Sequence, residues 1–424
     1  MVTNSASGGA VAAIEELVQA LTKFKTLLFK PEIHAEIHRK LHVSEEGQLP
    51  DKEIVPVASR AVDVLHELEQ LLQPTQLVLA DHFLGYTSSK CLVGALELQI
   101  PDLLAKSKPG TMTISELAEA AGAREDRLLQ ILRTLSCNGI FTVDSRNGTV
   151  SNNFRSEHLR SNHWTQWHNW VDLYGNEFYD IARGIPASLK KDTKRSAAQH
   201  NFDTDDDMFT YFDKQGWVPR LHRTLGGGAI AMAPGIVADY PWDELAGKTI
   251  LDVGGGGGAL IASLLRGHRG LRGGVFDLPR VIEHIRPFFR EGGQFADVAD
   301  RVSQTDLIAG DFFDTKNFPR YEVYVMKWCL HDWRDPEAIK ILQNVRKAMV
   351  PGERSRLVVL ESVMGDKEMT RLSRYGDINM MMTAKGLERT ADDWQRLAKA
   401  AGWAIRGVHT MRNAWVSAIE MRPA

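Results

Sequence analysis

The apolar residues in the first hundred positions recur every three to four residues, which is the spacing of amphipathic helices. One such stretch contains Val11, Ile14, Leu17, Val18, Leu21, Phe24 and Leu28. Ala58 to Leu72 has the same periodicity, and Gln76 to Ala95 is apolar nearly all round, which predicts a buried helix. Residues 1–10 are expected to be disordered and residues 42–55 to form a loop. Residues 1–110 are therefore predicted to be a helical region, packed either within the chain or at a subunit interface.

Residues 111–155 follow a different pattern. Thr113 to Gly122 and Arg124 to Cys137 predict two short helices, and two short strands flank the turn Asn147-Gly148. A helix, a turn, a second helix and a hairpin in this order are the winged-helix pattern. A transcription factor is therefore one hypothesis for this chain.

The charges of this unit argue against DNA binding, which requires an excess of Lys and Arg on the recognition helix and the wing. The second helix carries Arg127 and Arg133 but also Glu125 and Asp126, and Arg146 is the main basic residue of the wing. The formal net charge of the whole chain is −3, which gives no electrostatic reason to expect an acidic membrane either. We expect neither nucleic acid nor a membrane as a partner.

Residues 156–245 are predicted to connect two domains. Trp164, Trp167 and Trp170 fall on adjacent turns of a predicted helix, with histidines between them. No carboxylate or cysteine stands at ligand spacing, so no metal site is indicated. The tryptophans fit either core packing or the wall of an aromatic substrate pocket, and Trp167 is a candidate for the wall. Lys190 to Asp207 is predicted to be a loop, and a helix is expected to begin at Met208.

Strands and helices alternate from residue 246 to residue 424, which predicts a largely parallel sheet covered on both faces. The predicted strands lie near 249–253, 273–277, 305–309, 321–327, 356–362, 404–409 and 414–421. The predicted helices lie near 258–267, 279–291, 335–349 and 390–401. The last two strands surround Arg412-Asn413 and are expected to form an antiparallel hairpin at one edge.

A buried strand, Thr249 to Val253, leads directly into five glycines. Glycine backbone lets a ligand approach closely and permits positive φ in a tight turn. The ligand-contacting positions are expected to be Gly254, Gly255 and Gly256. An ordinary tight turn between a strand and a helix is the alternative interpretation.

Two acidic residues follow at the ends of the next strands. Asp277 ends an apolar strand about twenty residues after the glycines, where a carboxylate accepts hydrogen bonds from ribose hydroxyls. Asp311 ends the third strand region beside Phe312, an arrangement that suits an adenine. These features alone also fit a dinucleotide dehydrogenase, although the turn shows no clear requirement for a pyrophosphate.

A histidine at the end of the fourth strand region is the candidate general base. His331 follows an apolar strand, and an imidazole of ordinary pKa suits proton abstraction. A general base needs a partner on its other nitrogen. Glu361 ends the strand Leu357 to Glu361, and Glu388 precedes a helix predicted to begin near Thr390. A salt bridge with Arg389 or a solvated loop position is the alternative for Glu388.

Five stretches, DVGGGGG, FDLP, GDFF, MKWCLHDW and GLERT, occur in this order along the chain. As a set they resemble the small-molecule O-methyltransferases that use S-adenosylmethionine, of the plant caffeate and flavonoid type and its fungal secondary-metabolite relatives. The resemblance covers about residues 75 to 420. It implies a C-terminal Rossmann-like methyltransferase domain, a mainly helical N-terminal domain with a winged-helix dimerisation unit, and a homodimer.

The resemblance also implies roles for individual residues. His331 matches the family's base, and Glu361 and Glu388 match its acidic partners. Lys327 occupies the position where the family's lysine meets the cofactor, and Leu278 belongs to the cofactor-binding FDLP stretch. The candidate substrate contacts that we take from the matching segments are Phe212, Met232, Trp328 and Asp332.

Three adjacent methionines in a predicted helix add Met380 and Met381 as candidate substrate contacts, because pliable thioethers suit a pocket that holds a flat ring. Core filling is the alternative. The three cysteines, Cys91, Cys137 and Cys329, are too few and too far apart to indicate disulfides or zinc. With no secretory signal or membrane span in the sequence, a cytoplasmic location is expected.

The sequence therefore predicts a homodimeric O-methyltransferase with no metal requirement. Its substrate is expected to be a hydroxyl of a small aromatic or polyketide-like metabolite. The alternative is a relative that binds S-adenosylmethionine for its charge and catalyses a cyclisation or rearrangement.

Overall fold

The structure is a computed structural model that describes residues 6–365 and 371–424. Six helices form the N-terminal region: α1 Ala6–Leu28, α2 Pro31–Leu41, α3 Ile54–Leu72, α4 Thr75–Leu84, α5 Tyr86–Glu97 and α6 Ile100–Lys106. The expectation of disorder is wrong for residues 6–10, which lie in α1, whereas residues 1–5 lie outside the described residues. The predicted loop at 42–55 is correct up to Glu53, after which α3 begins.

The apolar faces of α1, α3 and α4 are largely uncovered by the described part of the chain. Val18 and Phe24 of α1 and Leu65 of α3 are exposed, as are Leu77 and Phe83 of α4. The prediction of a buried helix is therefore wrong for α4, although α5 buries Val93 and Ala95. Exposed apolar stripes of this length are typical of surfaces that another chain covers.

The predicted winged-helix unit is present. Its elements are β1 Thr111–Thr113, α7 Ile114–Ala121, α8 Glu125–Cys137, β2 Thr142–Asp144 and β3 Thr149–Ser151. The three strands form an antiparallel sheet in the order β1-β3-β2. Thr113 and Glu116 form a reciprocal capping box that fixes the start of α7.

Six helices connect this unit to the C-terminal domain: α9 Trp167–Gly175, α10 Glu177–Ile181, α11 Ile185–Ser188, α12 Ala197–Asn201, α13 Met208–Lys214 and α14 Val218–Asp239. Helix α12, capped by Ser196, corrects the prediction of a continuous loop at 190–207. The glycines at 226–228 lie inside α14, where a Cβ at Gly228 would overlap the Trp170 indole. Glycine therefore allows α9 to approach α14 closely.

The remaining elements alternate as predicted. They are β4 Thr249–Val253, α15 Ala259–Gly267, β5 Arg272–Asp277, α16 Pro279–Ile285, β6 Leu307–Ala309, β7 Val323–Lys327, α17 Asp335–Ala348, β8 Arg356–Glu361, β9 Val363–Met364, α18 Arg371–Thr383, β10 Arg389–Thr390, α19 Ala391–Ala400, β11 Trp403–Thr410 and β12 Ser417–Pro423. Helix α16 ends six residues before the predicted boundary at 291 and continues as a short 3₁₀ turn. The short parallel pair β9–β10 was not predicted.

The seven-stranded sheet has the order β11-β12-β8-β7-β4-β5-β6. Strands β4 to β8 pair in parallel, and β12 and β11 add the predicted antiparallel hairpin at one edge. After β6 the chain crosses back to β7, so the strand order reverses between β4 and β7. Ligands of open α/β sheets bind at the carboxyl ends of the strands at such a reversal. No helix in the described part of the chain is long and apolar enough to cross a membrane.

Candidate active site

The glycine turn after β4 has a backbone that side chains would not tolerate. Gly254 has a φ of 74°, and a Cβ there would lie 3.2 Å from Cys329 Sγ. A Cβ at Gly255 would lie 2.7 Å from the Asp252 carboxylate. The turn therefore presents bare backbone at the switch point of the sheet, as the sequence predicted.

Asp277 connects the glycine turn to the end of β5. Its Oδ2 accepts a hydrogen bond from the Gly256 amide at 2.9 Å, and its Oδ1 accepts one from the Leu278 amide at 2.7 Å. Each carboxylate oxygen has a second lone pair, so Asp277 retains acceptor capacity for a ligand hydroxyl. Leu278 is exposed next to it.

Asp252 and Lys327 place opposite charges beneath the glycine turn. The Asp252 side chain is buried and its Oδ1 has no hydrogen-bond partner. Burial raises the pKa of Asp252 to about 7, and the nearby positive charge of Lys327 opposes that rise. Burial also lowers the pKa of Lys327, while Asp252 and Glu361 favour its charged form. Lys327 Nζ lies 4.3 Å from the centre of the Trp328 ring.

Asp311 and Phe312 lie in the loop after β6. Asp311 is exposed, and its Oδ1 accepts a hydrogen bond from the Phe313 amide at 2.8 Å. Phe312 Cε1 would lie 3.9 Å from a Cβ on Gly254, so its ring borders the glycine turn. Phe312 is thus the residue of this loop that borders the turn.

His331 lies in a short 3₁₀ turn after β7, and the structure brings it together with both predicted carboxylates. Its Nδ1 lies 2.9 Å from Glu388 Oε1 and 3.4 Å from Glu361 Oε2. Glu361 Oε1 accepts the backbone amides of Cys329 and Leu330, both at 2.9 Å. Glu361 therefore holds the turn as well as flanking the imidazole, and the Oε2 atoms of both Glu361 and Glu388 are buried without a hydrogen bond.

The carboxylates control the protonation of His331. Burial alone lowers the pKa of the imidazole, but the negative charge of Glu361, the hydrogen bond to Glu388 and the charge of Asp332 outweigh burial and raise it to about 10. Burial raises the pKa of Glu361, and the positive charge of His331 opposes that rise. Nδ1 is directed at Glu388, and Nε2 lies 3.9 Å from Asp332 Oδ1, beyond hydrogen-bond distance.

Residues 386–389 hold the histidine turn in place, a role that the sequence analysis did not predict for them. Leu387 donates its amide to the His331 carbonyl at 2.8 Å, and a Cβ at Gly386 would overlap that carbonyl. The fully buried Arg389 donates to the Leu330 and Trp333 carbonyls at 3.0 and 2.8 Å and pairs with Asp335. Arg389 therefore does not form the salt bridge with Glu388 that was the alternative interpretation, and Glu388 is buried rather than solvated.

The predicted substrate residues separate into two groups. Trp167 and Trp328 are half-buried, and both contact Trp170. Trp415 of the β11–β12 turn also contacts Trp170 and stacks on Trp167 at 5.4 Å. Met232 accepts the Trp415 amide through Sδ at 3.4 Å but is fully buried in the core against the C-terminal sheet, so it does not form an open wall. Phe212 is fully buried in a second core between α9, α13 and α14, and Met381 packs against that core. Met380, beside it on α18, is half-buried. Phe212 therefore occupies a core position rather than an open wall.

Comparison with known proteins gives two matched domain models. An O-methyltransferase domain matches residues 243–404, and an O-methyltransferase dimerisation domain matches residues 80–161. The O-methyltransferase aclM of Aspergillus oryzae is 57% identical over 91% of this chain and 88% of its own length. The O-methyltransferase gliM of Aspergillus fumigatus is 44% identical over 97% of this chain and 94% of its own length.

A solved structure gives the same result. CalO1, a methyltransferase in calicheamicin biosynthesis crystallised with S-adenosylhomocysteine, matches with a TM-score of 0.70 and 25% identity over 82% of this chain and 98% of its own. The chain thus has the fold of a class I methyltransferase. It belongs to the S-adenosylmethionine-dependent O-methyltransferases, and its dimerisation domain supports a homodimer.

The residues at the glycine turn fit S-adenosylmethionine. An unpartnered, buried oxygen of Asp252 beside bare backbone suits a ligand with cationic groups, and the free lone pairs of Asp277 suit ribose hydroxyls. Asp252 is not among the cofactor-binding residues that the sequence predicted. Its unpartnered oxygen and raised pKa are the signals that the structure adds.

Proposed function

We propose that this enzyme transfers the methyl group of S-adenosylmethionine to a hydroxyl of a small aromatic or polyketide-like secondary metabolite, with His331 as the general base. The observation that supports this best is the contact of His331 Nδ1 with Glu388, which leaves Nε2 as the nitrogen available to a substrate hydroxyl. S-adenosylmethionine supplies an activated methyl group on a sulfonium. A neutral hydroxyl is a poor nucleophile, so its proton must leave as the new bond forms.

The two glutamates support the base in different ways. The proton on Nδ1 is donated to Glu388, which fixes the tautomer and leaves the Nε2 lone pair for the substrate hydroxyl. As Nε2 takes the proton, the imidazole becomes cationic, and the charges of Glu361 and Glu388 stabilise that form. Both carboxylates therefore act on the developing charge as well as on orientation.

The raised pKa of His331 has a consequence for the resting enzyme. With a pKa of about 10, the imidazole of the ligand-free protein is mostly protonated at neutral pH. A cation bound near Lys327 and Asp252 disfavours a second positive charge and so lowers the pKa of His331. We therefore propose that cofactor binding prepares the base, which couples the two parts of the site.

In our proposal, different parts of the chain form the dimer, line the substrate pocket and bind the cofactor. Residues 1–110 and the winged-helix unit at 111–155 form the dimer, residues 156–245 contribute to the substrate pocket, and residues 246–424 bind the cofactor and carry the base. The exposed apolar faces of α1, α3 and α4 and the matched dimerisation domain at 80–161 support the first part. The tryptophans of α9 near Trp328 support the second.

The test is methyl-labelled S-adenosylmethionine with a panel of phenols, comparing the wild type with His331→Ala. Loss of a general base typically costs about 10²–10⁴-fold in rate, so turnover should fall by that amount while cofactor affinity is retained. The loss should shrink at high pH with a phenol, because solvent then supplies the phenolate. His268→Ala is a matched control, since His268 is similarly buried and also contacts a carboxylate, Asp243.

Two results would count against the proposal. Near-normal methyl transfer by His331→Ala at neutral pH would show that proximity alone drives the reaction. A wild type that binds the cofactor tightly but labels no hydroxyl compound would favour the alternative of a cyclase or rearrangement enzyme.

A further inference from the structure

The turn between β11 and β12, residues 411–416, carries a tryptophan that the sequence analysis did not select as a candidate. Trp415 is 37% exposed, whereas Met411 and Val416 at the two ends of the turn are buried in the core against the sheet. Asn413 has a φ of 52°, in the left-handed region, so the chain reverses direction sharply there. With its ends buried, the turn presents the Trp415 indole outward.

The Trp415 indole meets aromatic rings of the linker region. Its centre lies 5.4 Å from that of Trp167, with the ring planes 29° apart, and 4.9 Å from that of Trp170, edge to face. Trp170 also contacts Trp328, which precedes His331 by three residues. The Trp415 indole is therefore connected, through Trp170, to the turn that carries the proposed base.

Both backbone polar groups of Trp415 are bonded. Its amide donates to Met232 Sδ at 3.4 Å, and its carbonyl accepts the Ser362 hydroxyl at 2.9 Å. Met232 lies in α14, and Ser362 directly follows Glu361 at the end of β8. The backbone position of Trp415 is therefore set by α14 on one side and by the end of β8 on the other.

Arg412, three residues earlier in the same turn, ties the turn to two other segments. Its guanidinium donates to both carboxylate oxygens of Asp239 at the end of α14, at 2.7 to 3.1 Å, and its amide donates to Asp239 Oδ2 at 2.9 Å. Its Nη1 donates to the Pro50 carbonyl at 2.6 Å, in the loop between α2 and α3. A Cβ at Gly235 of α14 would lie 2.0 Å from the Arg412 carbonyl, so the turn packs directly on the helix.

The surroundings of this contact restrict its geometry. The Arg412 and Asp239 side chains are 15% and 7% exposed, and Pro50 is buried. Burial raises the pKa of Asp239, but the hydrogen bonds and charge of Arg412, with Lys52 3.6 Å away, outweigh burial and lower it. Charge-assisted bonds from a planar guanidinium fix orientation as well as distance. The pair therefore fixes the orientation of the turn, and with it the direction of the Trp415 indole.

We propose, on the basis of the methyl transfer proposed above, that Trp415 forms a wall of the substrate pocket and that Arg412 is the residue that positions it. Trp415 contacts the acceptor molecule through its exposed indole. Arg412 acts through Trp415, because its own donors are engaged by Asp239 and Pro50. Affinity for the acceptor, and not for the cofactor, therefore depends on an arginine that touches neither ligand.

A double-mutant cycle tests the proposal, with calorimetry of 2-naphthol as the probe and the full-length enzyme saturated with S-adenosylhomocysteine. Arg412→Lys keeps the charge but loses the planar fork that reaches Asp239 and Pro50 together. It should weaken 2-naphthol binding about fivefold, which is within the range of one aromatic contact. Trp415→Ala should weaken it to a similar extent. In the Trp415→Ala background, Arg412→Lys should have little further effect, because residues that act as a unit are not additive.

A spectroscopic measurement follows the indole itself. In protein labelled with 5-fluorotryptophan, Trp415→Phe identifies the Trp415 fluorine resonance. 2-Naphthol should shift that resonance, and Arg412→Lys should shift or broaden it without 2-naphthol. Asp239→Asn, which keeps the shape of the side chain but removes its charge, should have the same effect in milder form. Trp415→Phe should retain most of the affinity that Trp415→Ala loses.

Arg356→Lys is the matched control. Arg356 is a buried arginine that pairs with Glu244 and Glu420, so its replacement also removes charge-assisted bonds from a largely buried place. It should change neither 2-naphthol binding nor the Trp415 resonance. Affinity for S-adenosylhomocysteine should be nearly unchanged in every variant.

The inference is overturned if 2-naphthol does not bind or leaves the Trp415 resonance unmoved, if the effects of Trp415→Ala and Arg412→Lys add, or if Arg356→Lys weakens binding as much as Arg412→Lys. Failure of the proposed function looks different. In that case the binding pattern is as expected, but labelled S-adenosylmethionine transfers no methyl group to 2-naphthol or to any other hydroxyl compound.

Discussion

In the proposed mechanism, the contact between Glu388 and His331 is expected to set the pH dependence of the enzyme. The reactive form of His331 would be the neutral imidazole, so activity should rise with pH as the imidazolium loses its proton. Glu388→Gln removes one of the groups that raise the pKa of His331, so the rising limb should move to lower pH by about one unit. The maximal rate should fall, because a less basic imidazole is a weaker acceptor.

Profiles of kcat from pH 6 to 10 check this prediction. Glu283→Gln removes a similar charge from an exposed position on α16 and is the control. A profile that keeps its midpoint while its height falls would mean that Glu388 orients the ring without affecting its charge.

Asp277 should control cofactor affinity. Asp277→Ala removes the acceptor for the Gly256 amide and for a ribose hydroxyl, and one hydrogen bond to a charged group contributes about 1.5–3 kcal/mol. Calorimetry with S-adenosylmethionine should show a correspondingly weaker affinity, and Asp277→Asn should retain part of it. Unchanged affinity in Asp277→Ala would remove this residue from the site.

The sequence predicts candidate site residues best where they stand at the end of a strand or just after it. His331, Asp277 and Glu361 could be predicted because parallel strands bring their carboxyl ends to one edge of the sheet. Trp415 and Arg389 could not be predicted in the same way. Their roles depend on contacts with residues far away in the sequence, Trp170 and Leu330 respectively, and no local pattern encodes those contacts.

At the scale of elements, residues 386–389 are expected to position the histidine turn. Arg389→Lys keeps a positive charge but loses donors to the Leu330 and Trp333 carbonyls, so the turn should shift. A small misplacement of a reacting group can reduce turnover by about 10²-fold. We expect kcat to fall by about tenfold or more, with KM for S-adenosylmethionine nearly unchanged.

Arg356→Lys is the matched control for this prediction. Arg356 is also a buried arginine paired with carboxylates. It lies at the start of β8, at the end of that strand opposite to Glu361. Both variants should lower the melting temperature, whereas only Arg389→Lys should lower kcat. A parallel loss of kcat in both would mean that Arg389 acts through general stability.

Most elements of the C-terminal domain could be predicted because apolar strands alternate with amphipathic helices. The errors occur where local composition is a poor guide. Helix α12 is only five residues long and is stabilised by the Ser196 cap within a charged stretch. Helix α4 is apolar enough to suggest burial, but the described part of the chain buries none of its residues completely. Sequence periodicity indicates that a face must be covered, not which chain covers it.

At the scale of the whole molecule, the N-terminal helices are expected to depend on the partner subunit. A chain starting at Gln73 lacks α1 to α3 and should dissociate or aggregate at micromolar concentration in sedimentation experiments. Phe24→Asp, which places a charge on the exposed apolar face of α1, should also weaken the dimer.

The control is Glu15→Gln, a change at an exposed polar position of α1 that should leave the dimer intact. A full-length chain that sediments as a monomer at micromolar concentration would contradict the assignment. An unaltered dimer in the chain starting at Gln73 would confine the interface to residues 73–161.

The two glutamates beside His331 differ in what else they hold. Glu361 accepts three consecutive backbone amides of the turn, whereas the Glu388 side chain contacts the imidazole; each carboxylate has one buried oxygen without a hydrogen bond. After a gene duplication, a substitution at position 388 can remove the support for proton abstraction while the histidine turn keeps its shape. Substitution at 361 would undo the turn itself. Descendants that have exchanged methyl transfer for another use of the cofactor should therefore vary at 388 and retain the acid at 361.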